Sequence, residues 1–283
     1  NLVTAGGGTG SLSSPTRAVV SEGYIAPGAA STNLAYYEIA STGNASDFGN
    51  LVGARHDTTG ISNGTRGLFA GDHPRTNVIE YITIASTGNA ADFGDMATLH
   101  LLNSACSDAT RGVSQGGQSA GATAVNVMEY ITIATTGDAA DFGNLTVARA
   151  RTSSFESNTR GICSNGRDFT GPSVVNTIDY ITIQTTGNAT DFGDSTESKD
   201  YVSGTSSNIR GLTAGGYAPS ASNVIDYVTI ASTGDATDFG NLSRTRTVMA
   251  ATSNNVRGYF GGGYVDGNLA SAGSLVAFNE NND

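Results

Sequence analysis

The chain has 283 residues, 38 of them Gly and none Trp, with 14% charged side chains and a formal net charge of −11. That charge argues against a nucleic-acid partner, since neutralising a phosphate backbone needs clustered Lys and Arg, and no such partner is expected. No apolar run approaches the ~18 residues of a membrane-spanning helix, and neither membrane insertion nor a signal peptide is expected.

Short runs of Val, Ile, Thr, Tyr and Phe between Gly, Asn and Ser read as strands and turns. In chain order, residues 1–17 (NLVTAGGGTGSLSSPTR) align without gaps on residues 144–160 (NLTVARARTSSFESNTR). They are expected to begin inside the last strand of a repeat. AYYEIASTGNASDFGN follows at 35–50, and closer copies of one another at 78–95, 127–144, 177–194 and 224–241. Asp-Phe-Gly begins at Asp47, Asp92, Asp141, Asp191 and Asp238, and an Arg followed by Gly or Ala recurs at Arg17, Arg66, Arg111, Arg160, Arg210 and Arg257. The five intervals from Arg17 to Arg257 average 48 residues. A strand-filled period of this length points to a propeller or an array.

One unit parses into four strands: ARTSSFES as A, RGICSNG as B, NTIDYITI as C with alternating side chains, and DFGD opening D after the turn TTGNAT. Such a small antiparallel sheet cannot bury its own faces, so neighbouring sheets must stack. The chain stops at SLVAFNENND, where strand C and its turn belong. Its two ends are complementary pieces of one blade, which a ring needs and a linear stack does not. The expected fold is all-β: one domain over residues 1–283, a six-bladed β-propeller of four-stranded antiparallel blades, with the N- and C-terminal strands sharing a blade.

The succession of Gly-Gly, then NVIDY, an aromatic, NLTVAR and the next strand pair resembles a kelch repeat over essentially the whole chain. Tyr81, Tyr130, Tyr180 and Tyr227 match the kelch tyrosine, while Phe48, Phe93, Phe142, Phe192 and Phe239 stand at the tryptophan position. The wording YITIASTGNAADFG at 81–94 also resembles repeat modules in virion-associated proteins of marine tailed phages.

Residues present in every blade are expected to serve every blade. The Phe, Ile and Tyr residues fill the space between sheets, each ring contributing about 1.5–3 kcal/mol. The strand-B Arg is expected to pair with one of two recurrent acids, the strand-C acid (Glu38, Glu80, Glu129, Asp179, Asp226) or the Asp-Phe-Gly aspartate, since Arg suits bidentate pairing in partly buried sites. A calcium site in DATDFGN, with Asp235 and Asp238 as ligands, is the sharper alternative, weakened because its first Asp is Asn in three copies. Cys106 and Cys163 fall at different places in the repeat and read as buried thiols rather than a disulfide.

The A–B and C–D turns share one face and hardly vary, whereas the B–C and D–A loops share the other and differ from blade to blade. Recognition is expected on the variable face. Two rings lie there by count. Arg55, His100, Arg149, Lys199 and Arg246, with Gly6 in the sixth copy, lead into strand A. They would surround a channel mouth and bind an anion or acidic glycan, or, more plainly, bond carbonyls of the neighbouring blade. Tyr24, His73, Gln118, Arg167, Tyr217 and Tyr264 form the rim, a mixture that suits sugar rings or a protein partner.

Some kelch-like propellers are copper-radical oxidases, but Cys106 and Cys163 are not placed beside a suitable tyrosine pair to join His56 and His100. Asp-Phe-Gly lacks the other kinase motifs. No cofactor, no metal site and no enzyme activity are expected. The reading is a binding or structural propeller, virion-associated or fibre-attached, extracellular, contacting other virion or fibre proteins and a host surface glycan or receptor through its variable face. The alternative is a free lectin or protein-interaction scaffold that binds acidic glycans at the basic ring.

Overall fold

The computed structural model describes residues 6–25, 29–41, 43–71, 73, 76–169, 174–265, 268–269 and 273–278. It is an all-β, six-bladed propeller of four-stranded antiparallel blades. Blade 1 consists of Ser11–Ser13, Arg17–Ser21, Ala29–Glu38 and Ser46–Arg55. Blade 2 is Thr59–Ser62, Arg66–Ala70, Val78–Thr83 and Ala91–Asp95. Blade 3 is Ser104–Ser107, Arg111–Gln118, Ala124–Thr132 and Ala140–Asn144. Blade 4 is Ser153–Glu156, Arg160–Arg167, Val174–Thr182 and Thr190–Asp194. Blade 5 is Ser203–Ser206, Arg210–Ala214, Val224–Thr229 and Thr237–Asn241. Blade 6 shows Ala250–Asn254, Arg257–Gly261 and Gly273–Ala277. Its expected fourth strand, from the first five residues, lies outside the described residues.

The ring closes between the first and last blades. Ser11 Oγ donates to the Ala251 carbonyl at 2.6 Å, Val20 packs with Ala250 beneath Tyr37, and the Tyr37 and Tyr259 rings meet edge-on at 6.0 Å. Burial pushes the Tyr37 hydroxyl well above the usual phenol range. The alignment of the N-terminal segment holds in space: Gly7 pairs with Tyr24 as Ala150 pairs with Arg167 in blade 4.

Asp-Phe-Gly is a β-bulge. In blade 2 Asp92 opposes Glu80 and Gly94 opposes Ile79, so Phe93 has no partner across the ladder. Blades 1, 3, 4 and 5 shift register at the same point. A bulge twists the strand and re-aims one side chain, here an aromatic ring. Phe48, Phe93, Phe142 and Phe192 are buried, each edge-on to the strand-C tyrosine of its blade at 6.0–6.2 Å. The glycine is required by its backbone. Gly94 has φ 146°, and a Cβ there would stand 2.5 Å from the Gly137 carbonyl group of the next blade.

That contact is part of a ladder between blades. Gly137 N donates to the Phe93 carbonyl and Ala139 N to that of Asp95, both at 2.8 Å, and Asp138 Oδ1 accepts from Asp95 N at 3.0 Å. Asn89, Asn188 and Asp235 repeat the side-chain bond. The outer strand of one blade thus has backbone groups covered by the C–D segment of the next, which shields an edge that would otherwise template aggregation.

The strand-B arginines depart from expectation. Arg17 does pair with Glu38 at 2.9 Å. Arg66, Arg111 and Arg160 instead lie 4.3–4.6 Å over the strand-C tyrosines of their own blades, and donate to the Ile133, Ile183 and Ile230 carbonyls of the following blade at 2.8–3.1 Å. Arg17 also stacks on Tyr36 and reaches the Ile84 carbonyl. A planar guanidinium can stack and donate at once, and a carbonyl at a strand end is an acceptor without a ladder partner. Glu38 is misplaced in the sequence alignment as well. It opposes Arg17, whereas Glu80 opposes Phe69; the residue of blade 1 in the Glu80 register is Ala35, opposite Val20.

Cys106 and Cys163 are free, buried thiols in the core between blades 3 and 4, and desolvation raises the Cys106 thiol pKa well above normal.

Candidate functional site: the B–C and D–A mouth and the channel beneath it

The predicted basic ring does not line the mouth. Arg55, His100, Arg149, Lys199 and Arg246 are at most 4% exposed, so a solvent-facing cationic collar is corrected to a set of buried anchors. Arg55 binds Glu80 and the Val78 carbonyl. Arg149 binds Asp179 at 3.0 Å and the Cys163 carbonyl. His100 meets Thr98 Oγ1 at 2.9 Å, and Thr98 in turn donates to Glu129. Lys199 pairs with Glu197 at 3.3 Å, and Arg246 donates to the Gly262 carbonyl at 3.0 Å. Desolvation lowers the His100 and Arg246 pKa values and raises that of Glu129. Glu80 and Asp179 therefore pair with this ring directly and Glu129 through Thr98, whereas Asp226 accepts from Thr196 Oγ1 and Glu38 stays with strand-B Arg17. A buried charge costs several kcal/mol unless it is partnered, and Arg55 with Glu80 and Arg149 with Asp179 obey that rule. Blade 1, entered through Gly6, has Ala35 in the acid register. Blade 6, entered through Arg246, has Ser274 there, and its arginine takes a carbonyl.

The rim residues do come together. Each is held by a two-residue bridge to the loop that enters its blade: Tyr24 to Gly7, then His73 to His56, Gln118 to Leu101, Arg167 to Ala150, Tyr217 to Asp200 and Tyr264 to Thr247. The six stand around one mouth. His73 stacks on His56 at 4.7 Å, and Tyr24 meets His56 edge-on at 5.3 Å. Arg167 donates to Asp200 at 2.7 Å, Gln118 to the Ala122 carbonyl at 3.3 Å, and Tyr217 is 44% exposed. Parts of the B–C loops that differ between blades, at 26–28, 72, 74–75, 170–173, 266–267 and 270–272, lie outside the described residues.

Inside the rim sits a collar with no sequence signature. Gly8, Asp57, Leu102, Arg151, Tyr201 and Val248 occupy equivalent positions, and all have φ between 55° and 63°. Each non-Gly member costs on the order of 1 kcal/mol in this conformation. Asp57 N donates to the Gly8 carbonyl at 2.6 Å, Arg151 N to Leu102, Tyr201 N to Arg151 and Val248 N to Tyr201. The collar is therefore laced blade to blade by backbone bonds. Arg151 lies 4.3 Å over Tyr201 and 4.9 Å over Phe169 and shares buried Asp200 with Arg167. Asp57 accepts from His56 Nδ1 at 3.0 Å when that nitrogen carries the proton. Its charge helps raise the Tyr201 and Tyr264 hydroxyls, after desolvation as the main cause. Sequence reasoning missed Asp57, Arg151, Asp200 and Tyr201 because the six collar residues share a conformation and no chemistry.

Below the collar runs the central channel, about 220 Å³, between the A strands. Its walls carry Ser and Thr from every blade. It is bordered by one carboxylate, Glu156, and by no Lys, Arg or His among the described residues.

No protein-family model matches the chain and no curated protein matches it. A solved structure entitled "Structure of YjhT" is similar over 99% of this chain and 97% of its own, with a TM-score of 0.81 at 10% identity. That likeness establishes the propeller fold alone.

Proposed function

We propose that the chain is a non-catalytic, kelch-like binding module, carried outside the cell on a virion or fibre of the tailed-phage kind, that meets a host-surface glycan or receptor through its B–C and D–A mouth. The observation that carries this reading is the rim itself. Three Tyr, one His, one Gln and one Arg from six blades are brought to one opening on a rigid scaffold, and Tyr and Arg are among the residue types that dominate recognition surfaces. The opposite face repeats nearly the same Ser and Asn turn in each blade, which suits attachment rather than discrimination. The chemistry around the histidines favours binding over catalysis. His56 and His73 are engaged with each other and with Tyr24, His100 is buried on Thr98, and both cysteines lie in the core. The alternative site for acidic glycans, the basic ring, is itself buried and engaged with carboxylates, carbonyls and the Thr98 hydroxyl.

The test pairs location with recognition. Antibody against the chain should label purified tailed particles, and the isolated domain should bind intact host cells or defined glycans on an array. Tyr217→Ala combined with Tyr264→Ala should weaken that binding at least about tenfold without lowering the melting temperature. Binding left unchanged by the double substitution would overturn the assignment of the rim.

A further inference from the structure

The last channel-facing residues of the six A strands are Ser13, Ser62, Ser107, Glu156, Ser206 and Ser253. They border both the channel and a funnel of about 370 Å³ that opens between the A–B turns. They are thus the constriction that joins the two. Four of the serines fasten blade to blade: Ser62 donates to the Ser13 carbonyl, Ser107 to Ser62, Ser206 to Glu156 and Ser253 to Ser206, at 2.6–2.9 Å. Ser13 and Glu156 make no such bond among the described residues, and Glu156 is the one member that is not a serine. Its backbone N takes Ser206 Oγ as acceptor, but its carboxyl makes no hydrogen bond or ion pair among the described residues. Glu156 interacts electrostatically with the buried Cys106 thiol of blade 3, which brings no positive charge.

The rest of the channel asks for donors too. Asn103, Ser153 and Thr252 are no more than 8% exposed, and with Thr9 each leaves a side-chain oxygen without a partner among the described residues. All four border the same channel. Between these oxygens and the belt the wall is thin, formed in part by Gly60, Ala105, Gly204 and Ala251. Ser153 and Glu156 lie three residues apart on one strand, roughly 10 Å at the rise of an extended chain.

We infer that the channel binds a linear aliphatic primary amine, its ammonium group on Glu156 at the serine belt and its chain running up the hydroxyl-lined wall. The ammonium supplies the charge that this wall lacks, and a second amine at the far end of the chain supplies donors to the orphaned oxygens. Out of bulk water the Glu156 carboxyl must either keep a proton or meet a counter-charge, and a lining without Lys, Arg or His requires the ligand to bring that charge. A linear molecule fits because the small residues leave room along the axis and the orphaned oxygens lie at its far end. The site is separate from the rim, and either can fail without the other.

Calorimetric titration of the full chain with hexylamine, hexamethylenediamine and hexanediol tests this. Glu156→Ser, which makes the sixth member a serine, and Glu156→Gln should both fold, with melting temperatures no lower than that of the native chain. Both amines should bind the native chain once each, the diamine more tightly, and the diol should not bind at the same concentration. Both variants should lose at least about tenfold in amine affinity, as loss of a buried charge partner does. No amine binding, diol binding equal to that of the amines, or variants that bind like the native chain would each overturn the inference.

Discussion

Charge placement at single residues decides what this molecule can do on its surface. Arg149 and Asp179 are fully buried and 3.0 Å apart. Removing only one partner, as in Asp179→Ala, strands a cation and should cost about 3–5 kcal/mol in urea unfolding. The exposed Asp-Phe-Gly aspartate is different: Asp92→Asn should change stability by less than about 0.5 kcal/mol. Glu156 gives a pH signature with the opposite sign to an ordinary paired acid. Enclosure lifts its pKa from 4.5 to about 8, so between those values the folded chain keeps a proton that the unfolded chain has lost. Its contribution to stability therefore falls as pH rises through that window and levels off above it. Glu156→Gln holds no such proton. Denaturation curves of the two proteins should diverge from about pH 5 to pH 8 in favour of the variant, and a constant difference across that range would count against the assignment. The serine belt was readable once the A strands were aligned. Only the structure shows that its odd member faces a cavity instead of a neighbour.

Strands and turns carry the repeat, and here the sequence is most informative. The Tyr and Phe of each blade meet as their period implies, because an alternating strand can bury only one face. The bulge at Asp-Phe-Gly was not legible, since a bulge has no fixed spelling and its glycine reads as a turn. Gly94→Ala tests it. Both Gly94 and Gly240 have positive φ, 146° and 139°, but only Gly94 faces a neighbouring backbone, while Gly240 has nothing within 4 Å among the described residues. Each alanine should cost on the order of 1 kcal/mol in backbone strain, and Gly94→Ala should cost at least about 1 kcal/mol more; equal losses would mean that the ladder between blades contributes nothing. The strand-B arginines were assigned to carboxylates by charge alone. A stacked ring with a strand-end carbonyl satisfies the same guanidinium without desolvating an acid, a solution that pairwise reasoning over a sequence does not weigh. Arg111→Ala removes one stacking contact and one bond between blades and should destabilise by about 1–2 kcal/mol.

At the scale of the whole molecule, six wedges must close around an axis before a mouth, a collar or a channel exists. The period and the matching ends implied closure, and the described contacts between blades 1 and 6 agree with it. The rim was legible because it sits a fixed distance after each strand-B Arg. The buried fate of the basic ring was not, because a residue count places a side chain along the strand but not toward core or solvent. Closure is therefore the claim on which both sites depend, and cross-linking measures it directly. Ser14 and Asn255 border the same funnel from blades 1 and 6, and the native thiols, Cys106 and Cys163, are buried. Ser14→Cys with Asn255→Cys, treated with a short bismaleimide, should yield a monomer in which those two peptides are joined, detected by mass spectrometry. Cross-links found only between separate chains, or none while both cysteines label with a monofunctional maleimide, would contradict a closed ring.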